Sequence, residues 1–377
     1  MTALTPTAPI TDLSMEEDGP SETPWQLTWR QLRKNRFAMA GGIIIVLLYT
    51  MAILANFLSP YPITERSDRV YQPPSPILFR DAQGRFSPWP HTERMDLDVA
   101  TQVYHVVPGS VVPLRFFVRG EEYRLLGILP LNFHLIGAGQ SSAAQTPFHP
   151  IGTDSDGRDV FSRLMVGSQI SLSIGIVAIS ITFTIGLMVG GIAGYYGGAV
   201  DNVLMRVCEV IMSIPTFYLL IALAGLLPPT LDPRLTFLLI IVILSFVGWA
   251  GLARVIRGIS LATRELEYVQ AARALGVSDF KIIRRHILPS AFTYATVSAT
   301  LAIPGYILAE SGLSFLGLGI KIPVPSWGNM LSSAQNLEVL TSKFWMLSPG
   351  LMIFITVLAF NFLGDGLRDA LDPKLRR

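Results

Sequence analysis

The sequence predicts an all-α integral membrane protein of six transmembrane helices, with a small β-containing insertion on the outer side between the first two. Three observations lead there. Half of the 377 residues are hydrophobic and 15% are charged, with a mean hydropathy of +0.47; soluble domains carry about a quarter charged residues. Six stretches lack charge over a length that can cross a bilayer, which takes roughly 20 apolar residues. The basic residues cluster in segments that a six-span count places on one side. The same composition excludes a disordered chain, which would be polar and highly charged. A single cysteine, Cys208, excludes a disulfide scaffold. A net charge of +2 gives no electrostatic case for nucleic acid.

The charge-free stretches lie between Arg36 and Glu65, between Arg163 and Asp201, and over Val210–Leu231, Leu235–Ala253, Ile287–Ala309 and Phe344–Gly364. Span cores are expected near 37–58, 168–193, 208–227, 235–253, 290–309 and 345–364. Pro215 and Pro304 fall inside two of them, which neighbouring helices can accommodate. Residues 1–36 form a cytoplasmic N-terminal segment, and 37–58 the first helix, a retained anchor rather than a signal peptide. Residues 59–165 form the outer loop, 166–366 a five-helix core, and 367–377 a cytoplasmic tail. Arg30–Arg36, the segment 254–289 and the end Lys374, Arg376, Arg377 carry the positive charge, so both termini are expected in the cytoplasm.

Three regions lie outside the spans. The outer loop is far longer than a connector needs. Strand-like stretches at Leu114–Val118 and Tyr123–Ile128 predict a β-containing insertion between about 70 and 148. In the cytoplasmic segment 254–289, Leu261, Tyr268, Ala272 and Leu275 recur on one helical face, with Glu267, Gln270 and Ala274 roughly opposite. Gly276 ends that helix. Ser278 is placed to cap a second helix with Asp279 in its first turn; Ile282, Ile283, His286 and Ile287 give its apolar side, and Leu288-Pro289 breaks it before the fifth span. By pattern alone this helix–glycine elbow–helix is equally a surface-lying connector. Residues 310–343 read as a re-entrant or interfacial outer hairpin, with Gly312, Gly317 and Gly319 allowing close packing. Glu310, at the outer end of the fifth span, either faces solvent or anchors that hairpin by accepting from the Ser311 or Ser314 amide.

No glycine is followed directly by lysine, so the usual phosphate loop is missing. The five histidines have no metal-ligand spacing. Asp154, Asp156 and Asp159 do not fit the calcium-loop pattern; helix capping and pairing with Arg158 are the plainer role for that cluster. Cys208 reads as a packed small side chain.

Gln270-Ala-Ala-Arg-Ala-Leu-Gly276, nine residues, then His286-Ile-Leu-Pro289 resembles the cytoplasmic loop signature of ATP-binding-cassette (ABC) importer permeases. Gln270 replaces the usual Glu and His286 the usual Ile. His149–Asp159, Gly194–Asp201, Leu313–Gly319 and Trp327–Met330 resemble the dipeptide/oligopeptide/nickel permeases, specifically the second permease subunit. The long insertion, with Phe116–Gly120, Tyr123–Gly127 and His134–Gly137, is similar to the oligopeptide- and microcin-type subgroup.

The resemblance implies the type I ABC importer permease fold in a bacterial inner membrane and a chain that is not itself an enzyme. It implies a peptide or peptide-like solute, a second homologous permease, two ABC ATPase subunits and an extracytoplasmic solute-binding protein. ATP and Mg would be held by the ATPase partners, with no cofactor in this chain. ATPase coupling would fall to Glu267, Gln270, Ala271, Ala272, Arg273, Leu275, Gly276, Asp279, His286 and Pro289. An outer loop and gate would use Asp154, Asp156, Arg158, Asp159 and Glu310. The competing class is an ion- or proton-coupled secondary transporter, which should carry ionisable residues inside its spans and a visible repeat. A membrane-anchored enzyme is a third class, for which no nucleophile–base constellation is present.

Overall fold

The structure, a computed structural model, describes residues 24–125, 128–138, 146–228 and 230–371. The expected N-terminal segment up to residue 23, the basic tail beyond Leu371, and Leu126 and Gly127 of one strand-like stretch lie outside the described residues.

Helix α1 (Pro24–Lys34) is amphipathic and sets Leu32 against Leu367 and Ala370 of the last helix. Asn35 then caps α2 (Arg36–Ile53), its side chain accepting from the Phe37 and Ala38 amides at 3.1 Å each. A bend at Leu54 leads into α3 (Ala55–Leu58). The insertion follows. Strands β1 (Leu78–Arg80), β2 (Phe86–Asp98) and β3 (Val103–Pro113) form one antiparallel sheet in that order, and β4 (Arg115–Leu125) and β5 (Leu129–Gly137) form a two-stranded ribbon. The described strand residues of the two strand-like stretches read from sequence thus fall on one strand, β4, with a register shift between Arg119 and Tyr123. The chain before the sheets is already knitted to the chain after them: Ser67 N–H donates to Gly157 O, Tyr71 N–H to Asp154 O and Ser75 N–H to His149 O. The free excursion therefore begins after Ser75, not at residue 70.

Helix α4 (Val160–Tyr196) starts earlier than expected because Asp159 caps it, accepting from Ser162 N–H at 2.7 Å. Helices α5 (Gly198–Ser213) and α6 (Thr216–Gly225) stand where the third span, near 208–227 with Pro215 inside it, was expected. They meet at 83°, because Pro215 has no N–H to continue the ladder. Helix α7 (Pro233–Arg264) runs well past the expected end of the fourth span. It is followed by α8 (Glu267–Ala274) and α9 (Asp279–Ile282), a π-helical turn Ile283–Ile287, and α10 (Leu288–Phe315). Leu288-Pro289 does not break this run. The wider π turn absorbs the missing proline N–H, so helix continues from Asp279 to Phe315. Short helices α11 (Trp327–Ser332) and α12 (Leu337–Ser342) then lead to α13 (Ser348–Leu371).

Among the described residues, five helices are long and apolar enough to cross a membrane, or six if the bent pair α5–α6 counts as one span. Helix α4 is the centre of the bundle. Gly186, Gly190 and Gly194 line its face toward α7, where added Cβ atoms would meet Leu252, Ala253 O, Ile256 and Ser260. Small residues at such a seam let backbones approach where lipid supplies no hydrophobic drive between helices. Cys208 is fully buried beside Trp249, Ala250 and Ala253.

Gly190→Val should be destabilising. Its Cβ would lie 2.5 Å from Ala253 O and 2.7 Å from Ile256 Cβ, and overpacking of this kind costs roughly 1–3 kcal/mol. A clear fall in the thermal midpoint of the purified protein is expected. Gly251→Ala, with nothing within 4 Å of the new Cβ, should leave it unchanged or higher. Equal midpoints for Gly190→Val and wild type would refute the seam.

Candidate functional site

Opposite the insertion, the bundle ends in the elbow. Arg273 O accepts from Gly276 N–H at 3.0 Å and Ala272 O from Val277 N–H at 3.1 Å, with Gly276 at φ +74°. These two bonds satisfy the last carbonyls of α8, and the left-handed glycine turns the chain into α9. Ser278 occupies the N-cap position of α9, but its side chain makes no capping bond. Asp279 instead accepts from the Tyr195 hydroxyl at 2.6 Å, tying the elbow to the end of α4.

The apolar face expected on one helix is divided. Leu261 belongs to α7, cut off from α8 by the turn at Glu265–Leu266. Val269, not Tyr268 or Leu275, is the buried residue of α8, packed with Tyr195, Ile282, Ile283 and Ile287. Tyr268, Leu275 and Phe280 are 50%, 83% and 73% exposed. The surface at the end of the bundle is therefore apolar and open, on a base that is packed. Glu267, Gln270, Ala271 and Arg273 are exposed around it, Ala272 is half-buried, the His286 ring lies 5.7 Å from that of Tyr268, and Pro289 sits exposed in the first turn of α10. The base is braced by two arginines of α7. Arg257 pairs with Asp201 of α5, and Arg264 donates to Gly194 O and Tyr195 O at the end of α4, where a cation meets the negative pole of the helix.

At the insertion end, Glu310 is completely buried. It does not face solvent, because α10 continues past it to Phe315. That continuation also occupies the Ser311 and Ser314 amides, so Glu310 is reached by hydroxyls instead: Ser314 Oγ donates at 2.7 Å, and Ser311 and Ser171 at 3.4 Å each. The same serines hold the hairpin. Ile320 N–H donates to Ser314 Oγ and Trp327 N–H to Ser171 Oγ. Gly319 and Gly328 lie tight against Ser314 and Ser311. Gly312, by contrast, is not tight, and Gly317 serves as the left-handed end of α10 at φ +77°.

The aspartates form a separate cluster at the start of α4. Asp154 accepts from the Asp156 and Arg158 amides and from Arg158 Nε at 2.8 Å; Asp156 pairs with Arg158 at 2.6 Å. Asp159 accepts from His149 Nδ1 at 2.9 Å as well as capping α4. Each carboxylate is committed to the loop and the start of α4, and no hydrogen bond joins the cluster to Glu310 among the described residues. Nearby, burial pushes the Tyr61 hydroxyl above its ordinary range while it accepts from Phe148 N–H. Tyr195, Val269, Phe280 and Ser171 were not singled out from sequence. Tyr195 lay inside a recognised motif, but only the fold shows its partner.

A family model described as binding-protein-dependent transport system inner membrane component matches residues 186–377, and one for the N-terminal TM domain of oligopeptide transport permease C matches 23–74. The chain is 36% identical over 359 residues to the dipeptide transport system permease protein DppC of Bacillus subtilis, covering 95% of this chain and 88% of that one. It is 42% identical over 250 residues to the oligopeptide transport system permease protein OppC of Haemophilus influenzae, covering 66% and 78%. With the glutathione transport system permease protein GsiD of Pectobacterium atrosepticum it shares 32% over 369 residues, covering 98% and 97%.

Tyr195→Phe removes one hydrogen bond to a charged group at a partly buried site, worth about 1.5 kcal/mol. Faster amide exchange over residues 277–287 is expected, with the global melting midpoint nearly unchanged. Exchange indistinguishable from wild type would show that Asp279 needs no tether.

Proposed function

We propose a role for this chain from a plain premise: it belongs to the binding-protein-dependent transport system inner membrane component family. It is a multi-pass permease subunit of an ABC importer, not an enzyme. The imported solute is a peptide or peptide-like molecule, the class named in the relatives at 32–42% identity. Two ABC ATPase subunits supply ATP hydrolysis with Mg, a second homologous permease completes the pore, and an extracytoplasmic binding protein delivers the solute.

The observation that carries this reading is the open apolar elbow of Tyr268, Leu275 and Phe280 on a packed base. Such a surface fits a helix-in-groove contact, and an ATPase pair that closes beneath it can drive the helices above as rigid bodies. The elbow end is then cytoplasmic. The basic residues Arg30, Arg33, Lys34 and Arg36 lie at the same end by span count, which puts both termini inside. At the opposite end the insertion faces the binding protein, and Glu310 holds the outer hairpin closed at rest.

The competing reading, a proton- or ion-coupled transporter, would find its buried acid in Glu310. That carboxylate is engaged by serines of its own helix and of α4, five positions before the end of its helix. Reconstituted uptake decides between the two. Di- or tripeptide accumulation that requires ATP and the ATPase subunits, and persists when ion gradients are collapsed, is expected. Gradient-driven uptake without ATP would overturn the assignment.

Two variants test its parts. Gly276→Val places a side chain in a left-handed conformation, costing roughly 1–2 kcal/mol; insertion and assembly should survive while uptake falls by about tenfold or more, the equivalent of one such penalty on the coupled state. Normal uptake would remove the elbow from the mechanism. Glu310→Gln keeps the shape and discards the charge. ATP hydrolysis without binding protein should rise; unchanged hydrolysis and uptake would reduce Glu310 to a structural anchor.

A further inference from the structure

The β4–β5 ribbon does not project freely into solvent. It rests on the outer end of the first span: the Phe117 ring lies 6.1 Å from that of Phe57 in α3, and His134 Nδ1 is bonded to Ser59 O. Phe117 is 64% exposed. Beneath the ribbon, between α2–α3 and α4, is a cavity of about 580 Å3. Its walls are apolar, including Ile53, Leu172, Ile176 and Val177. Ile53, Ile176 and Val177 remain 47%, 43% and 40% exposed in the chain. Its back wall is closed by Gln169 Nε2 donating to Ala52 O and the Tyr49 hydroxyl donating to Leu172 O.

At the upper end the lining changes character. Arg124 of β4 and Asn56 of α3 border the cavity, and neither side chain makes a hydrogen bond or ion pair among the described residues. A cation beneath a polypeptide ribbon, over an apolar slot, is the pattern of a headgroup site with its acyl channel. The dimensions agree. Gln169 to Val177 is eight residues of helix, about 12 Å at 1.5 Å each, close to the half-thickness of a hydrocarbon core about 30 Å across. The slot reaches through most of one leaflet.

We infer that this groove holds a phospholipid of the outer leaflet, with its phosphate on Arg124 and an acyl chain along Ile53, Leu172, Ile176 and Val177. The complementarity of an unpaired guanidinium to a phosphate selects this occupant. A helix of the second permease would fill the apolar slot but leave Arg124 without an anion. Arg124 is exposed on a strand, so replacing it spares the fold.

The test uses the assembled transporter in native membranes, with a photo-crosslinking amino acid at Val177. Irradiation followed by mass spectrometry should give a phospholipid adduct at that position. In Arg124→Gln the yield should fall roughly tenfold, the loss of one charge-assisted interaction, and in Arg124→Lys it should be partly restored. An adduct with the second permease, no adduct, or equal yields in wild type and Arg124→Gln would each overturn the inference.

Discussion

The close approach of α4 and α7 is the constraint on which both ends of the molecule depend. In a bilayer, packing rather than hydrophobic burial holds helices together, so backbone proximity must come from residues without side chains. Gly186, Gly190 and Gly194 provide it at four-residue intervals, placing one glycine per turn on the same face. Because Gly194 brings the end of α4 against Arg257 and Ser260, Arg264 can reach the terminal carbonyls and Tyr195 can reach Asp279. At the other end, the same long helix offers Ser171 to the hairpin and its capped start to the insertion.

Much of this was legible in the sequence, for reasons that differ by element. Charge-free length is a direct consequence of bilayer thickness, so five of the six spans were found close to their places. The third was not straight because hydropathy records composition and Pro215 acts on geometry. The glycine elbow was readable since only a left-handed residue satisfies the carbonyls of so short a helix; Gly276 adopts that conformation. Which side of α8 is buried was not readable. On eight residues, Val269 and Tyr268 are adjacent, and tertiary packing chooses between them. The proline at 289 misled because the usual penalty assumes an α-helical ladder, whereas the chain widens to a π turn just before it.

Glu310 shows the limit of a hydropathy profile more sharply. From sequence it marks the edge of an apolar run, and an edge suggests water. In the fold the helix passes it, and the hydroxyls of Ser171, Ser311 and Ser314 replace water one for one. A carboxylate so enclosed is costly unless its hydrogen bonds are made, and three of these partners are small residues that also let the hairpin close over it. The acid and the glycine-rich segment are thus one arrangement, although the sequence separates them into a span and a loop.

The unbroken helix from Asp279 to Phe315 has a consequence of its own. Its 37 residues extend about 55 Å, more than the width of the hydrocarbon layer. One tip carries the glycine elbow and the other the Glu310 node, and each tip is finished by a left-handed glycine, Gly276 before it and Gly317 after it. Under the proposed function such a member would act as a pushrod with pivots at both ends. Its length is held by its hydrogen bonds, so a displacement at one pivot that the rod does not absorb would reappear at the other as translation or tilt. Its hydrogen-bond ladder is altered at the π turn 283–287 and at Pro304, which has no N–H to donate. Elastic compliance along that rod, more than the strength of any single contact, would set how much of a stroke at one membrane face arrives at the other.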